Sequence, residues 1–140
     1  MLRDERRPGD YLGGEKVLDL LDVLGAIKTD ALLEYLGRIY NGQAGRQLLR
    51  FLHGRGYIIN SEQDGYVYAN VKSEASYFSD ILFAVFSKLS KSKEDRIDLS
   101  RYPFAAQMYL DGKIYHIISL EEGGREKLRY RYSLPSALTE

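Results

Sequence analysis

The apolar positions of the chain follow two periods, and the switches between them mark out the elements. From Gly14 onward, Val17, Leu18, Leu21 and Leu24 recur at three- and four-residue spacing, which predicts an amphipathic helix that Gly25 ends as its C′ residue. "AIK" then reads as a short apolar link. Thr29 reads as the N-cap of a second, short helix, "DALLEYLG", with Leu32, Leu33 and Leu36 on its apolar side before Gly37. A third helix is predicted to begin near Asn41 or Gly42, with Gly45, Leu48, Leu49 and Leu52 as the stripe facing the core. Gly54 and Gly56 stop it. The period then changes to two: "YIINS" and "YVYAN" flank "EQDG", a hairpin with an Asp-Gly pair in its turn.

The second half repeats the change of period. Residues 74–90 predict the strongest amphipathic helix, with Ser73 as N-cap and Tyr77, Phe78, Ile81, Leu82, Val85, Phe86 and Leu89 as its stripe. "KSKEDRIDLSRYP" reads as a polar connector. "FAAQMYL" and "KIYHIISL" read as strands joined by Asp111-Gly112, a two-residue turn, and "REKLRYRYSL" as a third strand. "PSALTE" reads as loop. The class is therefore α+β: three helices and a hairpin, then a long helix and a small antiparallel three-stranded meander. The expected domains are a flexible arm over residues 1–13, a first domain over 14–72 and a second over 73–140. Each half is small for independent stability, so the two are expected to pack together or to complete their cores in a dimer.

Composition narrows the chemistry. The chain has no cysteine, which removes disulfides, thiolate nucleophiles and cysteine zinc sites. Its only histidines, His53 and His116, are too few for a His-rich metal site and read as capping or surface residues. The charged start "MLRDERRPGDYLGG" lacks an apolar signal-peptide core, and no long apolar run marks a membrane span, so a cytoplasmic location is expected. Lys plus Arg and Asp plus Glu both number 20, which excludes a uniformly basic polyanion binder. The balance is uneven, however. No acidic residue lies between Glu34 and Glu62, while Arg38, Arg46, Arg50 and Arg55 do.

That basic segment coincides with the third helix. Opposite its apolar stripe, Gln43, Arg46, Gln47 and Arg50 form a face of donors with no acid among them. Arginine reads guanine edges, glutamine reads adenine, and both bind phosphate. The "TDALLEYL" helix, the "GQAGRQLLRFLHGRGYI" helix with its exit, and the Asp64-Gly65 turn together resemble the winged helix-turn-helix family over about half the chain. The resemblance implies that the third helix reads duplex DNA, with Gln43, Arg46, Gln47 and Arg50 on bases and phosphates and Arg55 on a flanking phosphate. Glu62 and Asp64 in the wing disfavour phosphate approach there. The expected function is a non-enzymatic DNA-binding protein, either a transcriptional regulator or a mobile-element accessory factor, with no cofactor or metal. The bland alternatives are a merely solvated helix face, since Arg and Gln are ordinary surface residues, or a protein-interaction module on the same scaffold.

The whole chain also looks similar to winged-helix proteins of bacterial mobile elements, some related to plasmid replication-relaxation proteins whose C-terminal part resembles a shrunken restriction-endonuclease-like fold. Such nucleases hold a metal with an acid on one strand and D/E-x-K on the next. Here Asp111-Gly112-Lys113 is the nearest match, and it reads better as a type I′ turn. The similarity therefore implies a remnant without catalytic residues. Arg125, Lys127, Arg129 and Arg131 alternate along the last strand, either as a phosphate-tracking ridge or as a charged edge that blocks aggregation. The aromatic stripe of helix 74–90 is expected either to pack within its own chain or to form a homodimer seam.

Overall fold

A computed structural model of the chain describes residues 13–40, 45–69, 76–99, 106–122 and 125–133, with the side chains of 77, 99 and 118–133 left aside. The predicted arm, the start of the third helix, Gln43, Ser73 and the tail lie outside those residues. The architecture is α+β, divided into two compact units over Met1–Ala75 and Ser76–Glu140.

In the first unit the order is α1 (Gly14–Leu24), β1 (Ala26–Lys28), α2 (Thr29–Ile39), α3 (Gly45–Gly54), β2 (Ile58–Ser61) and β3 (Tyr66–Ala69). α1 buries Val17, Leu20, Leu21 and Leu24, so Leu20 takes the place expected of Leu18, which is only half-buried. Gly25 ends the helix as expected, at φ 80°, with its N–H on the Leu21 carbonyl. The segment read as a link, "AIK", is instead a strand. β1 pairs antiparallel with β3, Ile27 opposite Val67, and the sheet order is β1-β3-β2. Three residues are too few to display a period of two. What makes them a strand is a partner some 40 positions downstream, reached through the pairs Ala26–Tyr68 and Lys28–Tyr66.

α2 departs from expectation at both ends. Thr29 is not its N-cap: the N-cap is Lys28, with no side-chain cap, and the Thr29 N–H donates to the Gly65 carbonyl at 2.8 Å. The hairpin turn thus satisfies one of the backbone donors at the helix start that have no partner within the helix. At the other end α2 runs through Gly37 to Ile39 and buries Leu32, Tyr35 and Leu36. α3 buries Gly45, Leu48, Leu49 and Leu52, the stripe expected of it. Gly45 marks a close approach of α3 to α2, because a Cβ there would lie 2.9 Å from Leu33 Cδ2 and 3.8 Å from Leu36 Cδ1.

The second unit contains α4 (Tyr77–Leu89), β4 (Arg96–Leu99), β5 (Ala106–Leu110), β6 (Lys113–Glu122) and β7 (Arg125–Ser133). The sheet is an antiparallel meander of four strands, β4-β5-β6-β7, rather than three. The extra strand hides in the polar connector, where Ile97 is the buried anchor and pairs with Met108. The cap of α4 is Ser76, whose Oγ accepts from the Ser79 N–H at 3.0 Å, rather than Ser73. Its buried face also differs from the stripe expected. Leu82, Phe83 and Phe86 are buried, Phe78, Ile81 and Val85 are half-buried, and Leu89 is 48% exposed. With apolar residues nearly all round the helix, periodicity alone does not select a face.

One buried carboxylate organises this unit. Asp95, 5% exposed, accepts from Ser90 Oγ (3.1 Å) and from the backbone N–H groups of Lys91 (2.8 Å), Ser92 (3.1 Å) and Asp111 (3.0 Å). It thereby ties the end of α4 to the β5–β6 turn. Burial pushes its pKa up, but the bonds from Asp111, Lys91, Ser92 and Ser90 outweigh burial and hold it below the ordinary carboxylate value. Because the folded pKa is depressed, the stabilisation is present above the ordinary carboxylate range and is lost as pH falls through the folded value. Asp95→Ala orphans these donors and is expected to destabilise the unit by about 2–4 kcal/mol in urea unfolding at neutral pH, with the difference from wild type shrinking on acidification. An Asp95→Ala protein as stable as wild type at neutral pH would show that the carboxylate is dispensable. Gly45→Val is expected to cost about 1–3 kcal/mol by overpacking against α2. Gly45→Ala, which meets only a terminal methyl of Leu33 and gains helix propensity, should stay within about 1 kcal/mol of wild type.

Candidate nucleic-acid interface

The split of α3 into two faces follows from its sequence. Residues at 45, 48, 49 and 52 share one side of a 3.6-residue repeat and are buried, which leaves 46, 47 and 50 on the other. Arg46, Gln47 and Arg50 are all exposed, and none makes a hydrogen bond or ion pair with another described residue. Arg38 differs: its guanidinium pairs with Glu34 at 3.2 Å, one turn away on α2. Arg55 is exposed in the turn after α3, three residues before β2 begins at Ile58.

The exit from α3 is closed by backbone bonds. The N–H groups of Arg55, Gly56 and Tyr57 donate to the carbonyls of Phe51, His53 and Leu52 at 3.0, 3.0 and 2.9 Å. His53 adds a link that sequence spacing did not reveal. Its Nδ1 accepts from the Asn60 N–H at 3.1 Å, joining the last turn of α3 to β2 and leaving the ring proton on Nε2.

The hairpin turn is held by Asp64. Its Oδ1 accepts from the Tyr66 N–H at 3.0 Å, and its Oδ2 accepts from the Tyr68 hydroxyl. The Tyr68 bond, against a smaller opposing effect of burial, holds the Asp64 carboxyl below its ordinary pKa, and the same bond pushes the Tyr68 phenol up. Asp64 is thus a structural acid whose charge is engaged by its own hairpin. Glu62 is exposed in the same turn.

Between α3, the start of α2 and the hairpin lies a polar cleft of about 240 Å³. Arg46 and Arg50 line it from α3, Thr29 and Asp30 from α2, and Asn60 and Glu62 from the hairpin. The sequence interval free of acids is therefore not free of them in space, since Asp30 and Glu62 flank the two arginines.

The other candidate chemistry resolves into structure. Asp111 and Gly112, at φ 52° and 74°, form the two-residue turn between the paired Leu110 and Lys113, the conformation a type I′ turn requires. Among the described residues, no group of three His, Cys, Asp or Glu side chains could hold a metal ion, and no helix is long and apolar enough to cross a membrane. Phe86, part of the stripe expected either to pack within its own chain or to form a homodimer seam, is fully buried. No family model, curated protein or solved structure matches the chain.

Tyr68→Phe removes the hydroxyl that holds Asp64. In a carboxyl-detected NMR titration, Asp64 is expected to titrate below the usual aspartate range in wild type and to move up in the variant. An unchanged Asp64 titration would mean that the Tyr68 bond does not persist in solution.

Proposed function

We propose that this chain is a duplex DNA-binding protein of the winged helix type that reads its site with α3. The observation that carries the reading is the exposed Arg46/Gln47/Arg50 face, whose donors are held on a packed helix and used by no other described residue. Arg46 and Arg50 have the planar, multi-donor chemistry for guanine edges or phosphates, and Gln47 for adenine. Gln43 would extend the same face toward the helix start. The element order of the first unit, with α1, α2 and α3 followed by a hairpin, supports the resemblance. The role is that of a regulator or accessory factor acting through occupancy of DNA, with no chemical step. A homodimer would match a two-fold DNA site.

Arg46→Ala with Arg50→Ala is expected to weaken binding to a duplex selected from randomised sequences by about 1–3 kcal/mol for each arginine that reads a base. Where an arginine binds phosphate instead, the slope of log K against log salt should fall by about 0.9. Fluorescence anisotropy across a salt series measures both. A double variant that binds as tightly as wild type, with the same slope, would remove α3 as the reader.

A further inference from the structure

The polar cleft of the first unit holds charges of both signs that do not meet. Arg46 and Arg50 line it from α3, Asp30 from the first turn of α2, and Glu62 from the hairpin. All four are exposed, and none makes an ion pair or hydrogen bond with another described residue. Elsewhere, arginines with an acid in reach do pair: Arg38 with Glu34 at 3.2 Å, and Arg96 with Asp98 at 3.3 Å. In the cleft no such pair forms. Its walls are joined by the backbone. The Thr29–Gly65 bond and the Lys28–Tyr66 pairing tie the start of α2 to the hairpin, and the His53–Asn60 bond ties α3 to it. About 240 Å³ of open space lies between them.

Thr29 adds a second, independent sign of an occupant. It lines the cleft, and its Oγ1 is buried without a hydrogen-bond partner among the described residues. A buried hydroxyl without a partner is a cost that a polar group bound beside it removes.

Size and charge narrow what fits. The space equals about eight waters at about 30 Å³ each, less than the roughly 300 Å³ at which pockets for drug-sized molecules begin. A simple anion between Arg46 and Arg50 meets Asp30 and Glu62, and a simple cation meets the two arginines. A molecule carrying both signs escapes either repulsion. Guanidinium groups hold a carboxylate or phosphate through paired N–H donors, and carboxylates hold an ammonium. We infer that the cleft binds a small zwitterion, with a carboxylate or phosphate at one end and an ammonium at the other. Its anionic end lies on Arg46 and Arg50, its ammonium on Asp30 and Glu62. Zwitterion binding does not depend on α3 reading DNA, and it is measured without DNA.

The full chain is titrated with glycine, β-alanine, γ-aminobutyrate and O-phosphoethanolamine, and with acetate, inorganic phosphate and ethylamine as half-ligands. Amide shifts in isotope-labelled protein report binding. At least one zwitterion is expected to shift the amides of Thr29, Asp30, Arg46 and Arg50 saturably, at a concentration about tenfold below any half-ligand. The three amino acids against O-phosphoethanolamine separate a carboxylate end from a phosphate end. Asp30→Asn/Glu62→Gln and Arg46→Gln/Arg50→Gln should each weaken that zwitterion about tenfold, and the first should leave acetate and phosphate binding unchanged or stronger. No saturable shift with any zwitterion overturns the inference. A half-ligand that binds as tightly as the best zwitterion overturns it too, by making the cleft a plain ion site. So does an Asp30→Asn/Glu62→Gln protein with wild-type affinity. The comparison of zwitterions with half-ligands needs only the wild type, so a misfolded variant leaves the outcome decided. Failure here leaves the α3 reading intact, since that is measured on duplex DNA alone.

Discussion

The first unit depends on the turn at Asp64 and Gly65, where one bend serves two purposes. On one side the Asp64 carboxylate closes its own hairpin by accepting from Tyr66 and Tyr68. On the other, the Gly65 carbonyl accepts the first N–H of α2. The hairpin is thereby fixed to the start of α2 as well as to α3, which it meets through His53 and Asn60. A cleft between three elements keeps its shape only if all three are joined. The Thr29–Gly65 bond adds to the Lys28–Tyr66 pairing in tying the wall that carries Asp30 to the wall that carries Glu62.

How much of this could be read in the sequence depended on whether a residue's partner was local. α3 was legible because its apolar and donor positions separate cleanly at helical spacing, so Leu48, Leu49 and Leu52 were assigned inward and Arg46, Gln47 and Arg50 outward. The Asp111-Gly112 turn was legible because its chemistry is contained in two residues. β1 was not, because "AIK" is a strand only by virtue of β3. Asp95 was not, because one of its hydrogen bonds comes from a backbone amide 16 residues away and nothing near it in sequence announces that partner. β4 was missed because one buried anchor, Ile97, sits among charges. On α4 the type of element was legible but its face was not, since Phe83 competes with Phe78, Ile81 and Val85 for the inside. The candidate site was legible as a helix face but not as a cleft, because Asp30 and Glu62 join it only through the fold.

Those two acids alter the electrostatics of the reading. Taken along the chain, Arg46 and Arg50 stand in a segment without negative charge. Taken in space, they share a cleft with Asp30 and Glu62. Acids at this range lower the potential that a distant phosphate feels, and so weaken the sequence-independent part of DNA affinity, which is almost wholly electrostatic. They do not remove the directional donors on the arginines, whose worth depends on contact geometry.

On the proposed DNA-binding reading, this arrangement in a chain with zero net charge would shift discrimination toward contact and away from attraction. A protein that holds DNA mainly by field binds every sequence. One whose field is trimmed beside its reading helix loses affinity for wrong sites, while a correct base edge still recovers the guanidinium bonds.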